Sequence, residues 1–312
     1  MTNLKNIISK SLVGIVDTLN DPRSFLRALE FAKYNSAWLE EFDTIVYSVN
    51  GEKEIVDKFL PEINDILRAC TIEILYSDNL GEAFGAMDND RKIFDYSKDK
   101  DYEYIWKFSN DVIADTSIFD VEIDESKDFF YINNIGYAAF AETTQKELIS
   151  QIKDQSYFYP QTNYYIIKNK VDKWYPSYEE TIDLKQQHLE AEKTKPGIRP
   201  WEAVQGCDCE HMLAKTVRDN NLQASHLLSD IETENIVNFV YTYKVGDGSH
   251  KNVIYPNIGN LCHYHVLNHP CAAILPESQT FLSEEEANKQ IEQSAKKHNI
   301  DVVEEKDQLK LT

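Results

Sequence analysis

The chain has 312 residues, of which 42% are hydrophobic and 12% aromatic, enough apolar surface for a substantial core. Its 53 acidic residues outnumber its 32 lysines and arginines, which leaves a formal net charge of −21. So negative a chain argues against nucleic acid or an anionic membrane surface as the main partner. Five cysteines, an odd number scattered over the sequence, are typical of reduced thiols rather than of a disulfide framework.

No apolar run approaches the roughly 20 residues that a membrane-spanning helix needs. The apolar run at residues 12–16 is too short for the core of a signal peptide. We therefore expect a cytoplasmic protein without a membrane span. If it binds a phosphorylated ligand, a metal ion, a helix N-terminus or a few basic side chains must offset the negative field locally.

Residues 1–120 alternate between continuous apolar runs, which predict buried parallel strands, and longer amphipathic stretches, which predict helices. The predicted strands span residues 12–16, 44–49, 71–76 and 102–108, and the predicted helices span residues 23–42 and 54–69. Repeated βα units of this length predict an α/β fold in which a mostly parallel sheet is flanked by helices.

The sequence beyond residue 128 is less regular. Aromatic and β-branched segments predict further strands, and polar segments predict exposed helices. The strands are placed at residues 129–141 and 162–167, and the helices at residues 177–193, 210–220 and 283–298.

This pattern predicts one domain over residues 1–282 and a charged helical tail over residues 283–312. Within the domain, residues 1–128 form the regular half. Residues 129–282 form the irregular half.

Two of the predicted strands end in short polar turns. Asn79-Leu80-Gly81 follows the third strand, and Ser109-Asn110-Asp111 follows the fourth. Open α/β sheets bind ligands outside the carboxyl ends of their strands. A lone carboxylate such as that of Asp111 could hold a divalent cation against a diphosphate, or could simply cap the turn.

Those two turns belong to a series of five segments. The others are Val16-Asp17-Thr18-Leu19-Asn20, Val49-Asn50-Gly51-Glu52, and residues 209–221 with Glu210 and Arg218. In their order and spacing the five segments resemble the inverting nucleotide-sugar glycosyltransferases of the GT-A fold, of the large family-two type. The resemblance covers residues 11–230. The chain departs from that pattern at Asn50, Ser109 and Asn110, where the family has acids.

The resemblance implies that a sugar passes from a nucleoside-diphosphate sugar donor to a hydroxyl of a saccharide or glycoconjugate acceptor, with inversion. Residues 1–128 would bind the nucleotide, and residues 129–282 the acceptor. The residues implied to line the donor site are Thr18, Asn20, Asn50, Asn79, Gly81 and Asn110.

The resemblance also implies a general base and a metal ion. Glu210 falls at the position of the base, with Asp208 as its rival. Asp111 is the implied ligand of Mn²⁺ or Mg²⁺, and His263 and His265 are candidates for a further ligand. Glu210 could instead be an ordinary glutamate in the first turn of a helix, where the helix dipole favours it.

Two other segments have competing interpretations. Cys207, Cys209 and His211 could hold zinc with a fourth ligand, although spacings of one residue are unusual for such a site. The aromatic residues 157–165 could form a platform for the acceptor, flanked by Trp174 and Trp201, or could be a core strand.

Two other functions remain open. A sugar-phosphate nucleotidyltransferase has a similar sheet, but the turn at residues 17–22 lacks the Gly-rich, basic loop that such enzymes place after the first strand. With acids missing from two motifs, the chain could also be a degenerate protein that binds a carbohydrate or a partner without catalysis.

Overall fold

The computed structural model describes the chain apart from residues 19–21, 79, 111, 115–118, 134–157, 228–235, 245–249, 259–260, 264–301, 306–307 and 312. The helices are α1 (Pro22–Leu39), α2 (Lys53–Ile66), α3 (Glu82–Ser97), α4 (Tyr178–Thr194), α5 (Pro200–Ala203) and α6 (Cys209–Asp219), with a 3₁₀ helix at Leu4–Lys10.

The described part of the chain contains fifteen strands. They are β1 (Thr2–Asn3), β2 (Ser11–Thr18), β3 (Thr44–Asn50), β4 (Thr71–Ser77), β5 (Tyr104–Ser109), β6 (Val112–Ala114), β7 (Glu122–Ile123), β8 (Phe129–Asn133), β9 (Pro160–Lys168), β10 (Ala224–His226), β11 (Ile236–Lys244), β12 (His250–Ile258), β13 (Leu261–His263), β14 (Val302–Glu305) and β15 (Gln308–Leu311).

The central sheet has seven strands in the order β10-β8-β9-β5-β2-β3-β4. Strands β5, β2, β3 and β4 are mutually parallel, and β10 is parallel to β8. Only β9 runs against its two neighbours, β5 and β8. The predicted α/β class, with a mostly parallel sheet flanked by helices, is therefore confirmed. Strands β11, β12, β13 and β6 form a smaller antiparallel sheet.

Both faces of the central sheet are buried, as continuous apolar strands require. On one face, α1 and α2 pack their apolar side chains against Val13, Ile15 and Trp106. On the other face, α3 and α6 pack against Leu12 and Ile105, which alternate with the first set along the same strands. The result is a three-layer arrangement in which α3 and α6 share one side of the sheet.

Helix α3 approaches β2 closely at Gly14. A Cβ atom on Gly14 would lie 2.5 Å from Cγ2 of Ile93, a contact that real side chains do not make. Because glycine has no side chain, the helix can pack closely against β2, an inner strand of the sheet, at this point. This close packing fixes the depth at which α3 sits beside the ends of the strands.

The strands and helices predicted for residues 1–120 are all present, with ends that differ by at most three residues. The 3₁₀ helix at Leu4–Lys10 and the short strand β7 were not predicted. The predicted helix at residues 283–298 lies outside the described residues. The division into a domain and a charged helical tail stays a prediction. Within residues 283–312, β14 and β15 pair as an antiparallel hairpin that was not predicted. Their charged residues obscured a two-residue apolar period, which is clearest at Leu309 and Leu311.

None of the helices in the described part of the chain combines the length and the apolar composition needed to cross a bilayer.

Trp38 of α1 lies at the centre of the larger apolar cluster. It is fully buried, its ring lies 4.5 Å from that of Phe108, and its Nε1 donates a hydrogen bond to Oδ1 of Asn35 at 2.7 Å. We expect Trp38→Ala to lower the free energy of unfolding by about 3–5 kcal/mol, because it leaves a large cavity. Urea denaturation measures the change.

The matched control is Trp201→Ala, at a tryptophan that is 48% exposed. We expect this variant to stay within about 0.5 kcal/mol of the wild type. Equal losses in the two variants would contradict the assignment of Trp38 to the core.

Candidate functional site

The order of the strands reverses between β2 and β5. From β2 the chain builds β3 and then β4 on one side, and it then returns to place β5 on the other side of β2. In open α/β sheets, ligands bind outside the carboxyl ends of the strands at such a reversal. The candidate site is therefore the edge of the sheet where β2 and β5 end.

Four residues stand at this edge: Asp17 and Thr18 at the end of β2, and Ser109 and Asn110 at the end of β5. The Asn110 side chain donates a hydrogen bond from Nδ2 to Oδ1 of Asp17, which is 2% exposed. Its backbone N–H donates to the Val16 carbonyl at 3.2 Å. The backbone of Thr18 pairs in register with Asn50 of β3. Three of the predicted donor-site residues thus come from adjoining strand ends.

Helix α3 is held beside this edge by Asn89, which is fully buried. Its Oδ1 accepts hydrogen bonds from the hydroxyls of Ser48 at 3.0 Å and Ser77 at 2.7 Å. Its Nδ2 donates to the backbone carbonyl of Asp17 at 3.2 Å. One side chain of α3 thus contacts β2, β3 and β4 near their carboxyl ends.

The start of α3 lies against the end of β3. Asn50 is 3% exposed, and its Oδ1 has no hydrogen-bond partner among the described residues. A Cβ atom on Gly85 would lie 2.8 Å from Nδ2 of Asn50, so only glycine fits there without displacing that amide. Gly81, the N-cap residue of α3, has a φ of 77°, which favours glycine. The predicted donor-site residues Asn50 and Gly81 therefore lie at neighbouring ends of β3 and α3.

The N-terminus of α6 brings the two predicted base candidates to the same side of the sheet as α3. Asp208 is the N-cap residue and accepts a hydrogen bond from the backbone N–H of His211 at 2.8 Å. Its other oxygen lies 2.5 Å from Nδ1 of His211, and the Tyr159 hydroxyl donates to Asp208 at 3.3 Å. Both oxygens of Asp208 are therefore engaged locally.

Glu210 has a different environment. It is partly buried, and its Oε1 accepts a hydrogen bond from the Thr162 hydroxyl at 3.4 Å. Burial raises the pKa of Glu210 above its ordinary value, and the nearby charge of Asp208 raises it further. The hydrogen bond from Thr162 and the charge of Lys107 act in the opposite direction without cancelling the rise.

A chain of contacts joins Glu210 to the end of β5. Thr162, which bonds to Glu210, also accepts a hydrogen bond on its backbone carbonyl from Nζ of Lys107. The same ammonium group donates to the hydroxyl of Ser109 at 3.0 Å. Two residues, Thr162 and Lys107, thus connect Glu210 to Ser109 at the candidate site.

Asp111 and His265, two of the three predicted metal ligands, lie outside the described residues, as do Asn20 and Asn79. His263 is in β13, where its backbone pairs with Val112, the residue that follows Asp111 in the sequence. Within the described residues, no group of three or more His, Cys, Asp or Glu side chains is placed to hold a metal ion.

The zinc interpretation of Cys207, Cys209 and His211 therefore has no support in the described part of the chain. Burial raises the pKa of the Cys207 thiol to about 11 and that of the Cys209 thiol well above its ordinary value. Because zinc binds the thiolate, such thiols are poor ligands. The Cys209 thiol instead contacts the Ala83 carbonyl at 3.7 Å.

Different residues of the aromatic segment support different interpretations, a core strand for some and an accessible surface for others. Tyr164 and Tyr165 are buried in the core, whereas Phe158 is 36% exposed. The ring of Tyr159 lies 5.1 Å from that of His211 at the N-terminus of α6. Trp174 does not flank a cleft as predicted, since it is buried and its ring stacks on Phe94 at 4.3 Å.

Sequence reasoning missed three residues that organise the site: Asp17, Asn89 and Lys107. Two of them carried a signal. Lys107 interrupts the apolar strand β5, and Asn89 belongs to the polar run of residues 88–92, between the apolar residues Met87 and Ile93 of α3. Polar side chains at positions where the period predicts burial indicate a specific buried contact.

No protein-family model and no curated protein sequence matches the chain. Several solved structures are similar to it. The glycosyltransferase GlyE of Streptococcus pneumoniae TIGR4 has 13% identity and a TM-score of 0.36, over 70% of this chain and 45% of that one. A nucleoside-diphosphate-sugar pyrophosphorylase of Vibrio cholerae RC9 has 9% identity and a TM-score of 0.37, over 68% of this chain and 90% of that one.

The third is the mannosyltransferase PcManGT of Pyrobaculum calidifontis, in complex with GDP-Man and Mn²⁺. It has 7% identity and a TM-score of 0.42, over 72% of this chain and 56% of that one. The chain thus spans about half the length of the two transferases. All three TM-scores are below 0.5, so these likenesses assign neither a family nor an activity to the chain.

The Asn89 contacts lead to a stability prediction. We expect Asn89→Ala to lower the free energy of unfolding by about 1–3 kcal/mol, because two buried hydroxyls and a carbonyl lose their partner. Ser77→Ala should cost less, since Asn89 keeps its contact with Ser48. The double variant should lose less than the sum of the two single losses. Strict additivity in urea denaturation would show that Ser77 and Asn89 do not interact.

Proposed function

We propose that the chain is a glycosyltransferase that moves a sugar from a nucleoside-diphosphate sugar to a hydroxyl acceptor. The observation that carries this proposal is the placement of Glu210. A partly buried carboxylate with a raised pKa is connected, through Thr162 and Lys107, to the strand ends at the reversal of the sheet. Such a group suits proton abstraction beside a bound ligand.

The donor would bind across the ends of β2, β3 and β5. The Oδ1 of Asn50, which has no hydrogen-bond partner in the described part of the chain, is an acceptor suited to an N–H group of a nucleobase. The N-cap residue of α3 is Gly81, which has no side chain to cap the helix, so the first-turn N–H groups could contribute to binding a diphosphate. Thr18, Asn20, Asn79 and Asn110 would complete this donor site.

Glu210 is the preferred base over Asp208. Asp208 already accepts hydrogen bonds from the backbone N–H of His211 and from the Tyr159 hydroxyl, whereas Glu210 has the raised pKa that suits a general base. Glu210 would take the proton of the acceptor hydroxyl while the oxygen attacks the anomeric carbon and the nucleoside diphosphate departs. One displacement at that carbon inverts its configuration. A positioned base of this kind contributes on the order of 10²–10⁴ in rate.

A divalent cation is part of the proposal. Asp111 would hold Mn²⁺ or Mg²⁺, with His263 or His265 as a further ligand. The pairing of β13 with β6, which sets His263 opposite Val112, supports the choice of His263. A bound cation would stabilise the negative charge that develops on the departing diphosphate.

Glu210→Gln tests the role of the base. The substitution keeps the shape of the side chain but removes its ability to take a proton. In assays of nucleoside diphosphate release from UDP-glucose, GDP-mannose and dTDP-glucose with saccharide acceptors, we expect turnover to fall on the order of 10²–10⁴-fold. Calorimetric binding of the same donor should persist. The matched control is Glu179→Gln, an exposed first-turn glutamate of α4, which should keep full turnover. Unchanged turnover in Glu210→Gln would remove Glu210 from the mechanism.

The same variant makes a separate stability prediction. A carboxyl whose pKa is raised in the folded state binds its proton more tightly there, so the wild type loses stability as the pH rises through that pKa. Glutamine does not titrate. We therefore expect Glu210→Gln to be more stable than the wild type at neutral pH, and the difference to shrink as the pH falls from the raised pKa to the ordinary glutamate value. Denaturant unfolding over this pH range measures it, and a difference independent of pH would contradict the raised pKa.

A further inference from the structure

Lys107 is a charged residue in the middle of the protein. It lies on β5, between Trp106 and Phe108, and is 2% exposed. Taking an ammonium group out of water is costly unless acceptors and an opposite charge surround it. Lys107 also has no role in the transfer reaction as described above. Its contacts therefore call for an explanation.

The Lys107 ammonium is directed at three different elements. It donates to the Ser109 hydroxyl at the end of its own strand at 3.0 Å and to the Thr162 carbonyl of β9. It lies 3.5 Å from Oδ1 of Asp90 on α3, and Asp90 is 2% exposed. The Tyr165 hydroxyl of β9 donates to the other oxygen of Asp90 at 3.0 Å. Lys107 thus joins α3, β5 and β9 at one buried point.

Two of these contacts lead directly to the proposed site. Ser109 and Asn110 end β5 at the reversal of the strand order, and Thr162 donates to Glu210. The ion pair with Asp90 lies on the side of the sheet that carries α3 and α6. A buried ammonium therefore stands between the proposed base and the strand end that would receive the donor.

We propose that Lys107 is a positioning residue for the transfer reaction, which orients Thr162 and Glu210 on one side and Ser109 and Asn110 on the other. This inference rests on the proposed function. Lys107 would act through these neighbours, since its own protons are directed at Ser109, Thr162 and Asp90. Paired with Asp90, it also places a positive charge near a site that belongs to a chain of net charge −21.

The charge of Lys107 has a measurable consequence at Glu210. The groups that affect the pKa of Glu210 are Asp208 on its own helix, Thr162 of β9 and Lys107 of β5. Asp90 of α3 faces Lys107 and also raises the pKa of Cys209. Lys107 lowers the pKa of Glu210, so its removal should raise that pKa further. Glu210 would then become ionised, and able to accept a proton, only at higher pH.

The test uses variants that differ in what they leave buried. Lys107→Met alone leaves the Asp90 carboxylate buried without its cation, a loss of partner large enough to prevent folding by itself. The double variant Lys107→Met, Asp90→Asn removes both charges together and keeps an acceptor for Tyr165. Lys107→Arg keeps the charge. The matched control is Lys168→Met, Asp128→Asn, which removes a Lys–Asp pair at the other end of β9.

For each variant, folding is checked by its urea midpoint, and kcat is measured over pH with the donor that the wild type turns over. We expect the folded Lys107→Met, Asp90→Asn variant to lose about 10- to 100-fold in kcat, as for a misplaced reacting group. The acidic limb of its pH profile should move to higher pH. Lys107→Arg should recover part of kcat and return the limb towards the wild-type position. The Lys168→Met, Asp128→Asn control should change neither.

The outcomes separate this inference from the function on which it rests. A folded Lys107→Met, Asp90→Asn variant with wild-type kcat and an unshifted pH profile would overturn the role of Lys107 alone. A fall in kcat without a shift of the limb, matched by the Lys168→Met, Asp128→Asn control, would also overturn it by showing a general structural effect. A wild type that releases no nucleoside diphosphate from any of the three donors would overturn both proposals.

Discussion

Two adjacent buried side chains of α3, Asn89 and Asp90, hold the candidate site together. Successive residues of a helix point about 100° apart, so the two side chains reach different strands. Asn89 binds groups of β2, β3 and β4, and Asp90 binds Lys107 of β5 and Tyr165 of β9. One helix turn therefore fixes five strands of the central sheet relative to one another at the edge where the strand order reverses.

This arrangement is stable because almost every polar group in it has a partner. A buried network of hydrogen bonds stabilises a fold only when its members are satisfied. The apolar layers on both faces of the sheet provide the burial, and Gly14 lets α3 come close enough for Asn89 and Asp90 to reach the strands. Departures from this pattern include the Oδ1 of Asn50, which has no hydrogen-bond partner among the described residues, and Glu210, whose pKa is raised. Both lie where we propose that substrates bind, which is where local strain or unmet hydrogen bonding is expected.

The first half of the fold could be predicted from the sequence, because four continuous apolar strands and two amphipathic helices have unambiguous periods. The amphipathic period does not mark helix α3, since Asp88, Asn89 and Asp90 interrupt its apolar face. The strand hairpin in the tail was missed because charged residues dilute its alternation.

The site was predicted less completely than the fold. Asn50, Gly81, Asn110, Asp208 and Glu210 were implied by the resemblance, each beside a turn or a helix start that the sequence marks, and their roles stay predictions. The roles of Lys107 and Asn89 were not predicted, since they depend on contacts between residues 12 to 72 positions apart. Long-range pairs of this kind are set by the packing of α3 and β9 on the sheet, and periodicity contains no information on which buried polar groups will meet.

The central claim is that the strand ends at the reversal bind a nucleoside diphosphate. The most direct measurement is calorimetric titration of the protein with UDP, GDP and dTDP, each with and without Mn²⁺. The account predicts saturable binding of one of the three, tighter in the presence of Mn²⁺. The absence of heat from all three, with and without the cation, would contradict it.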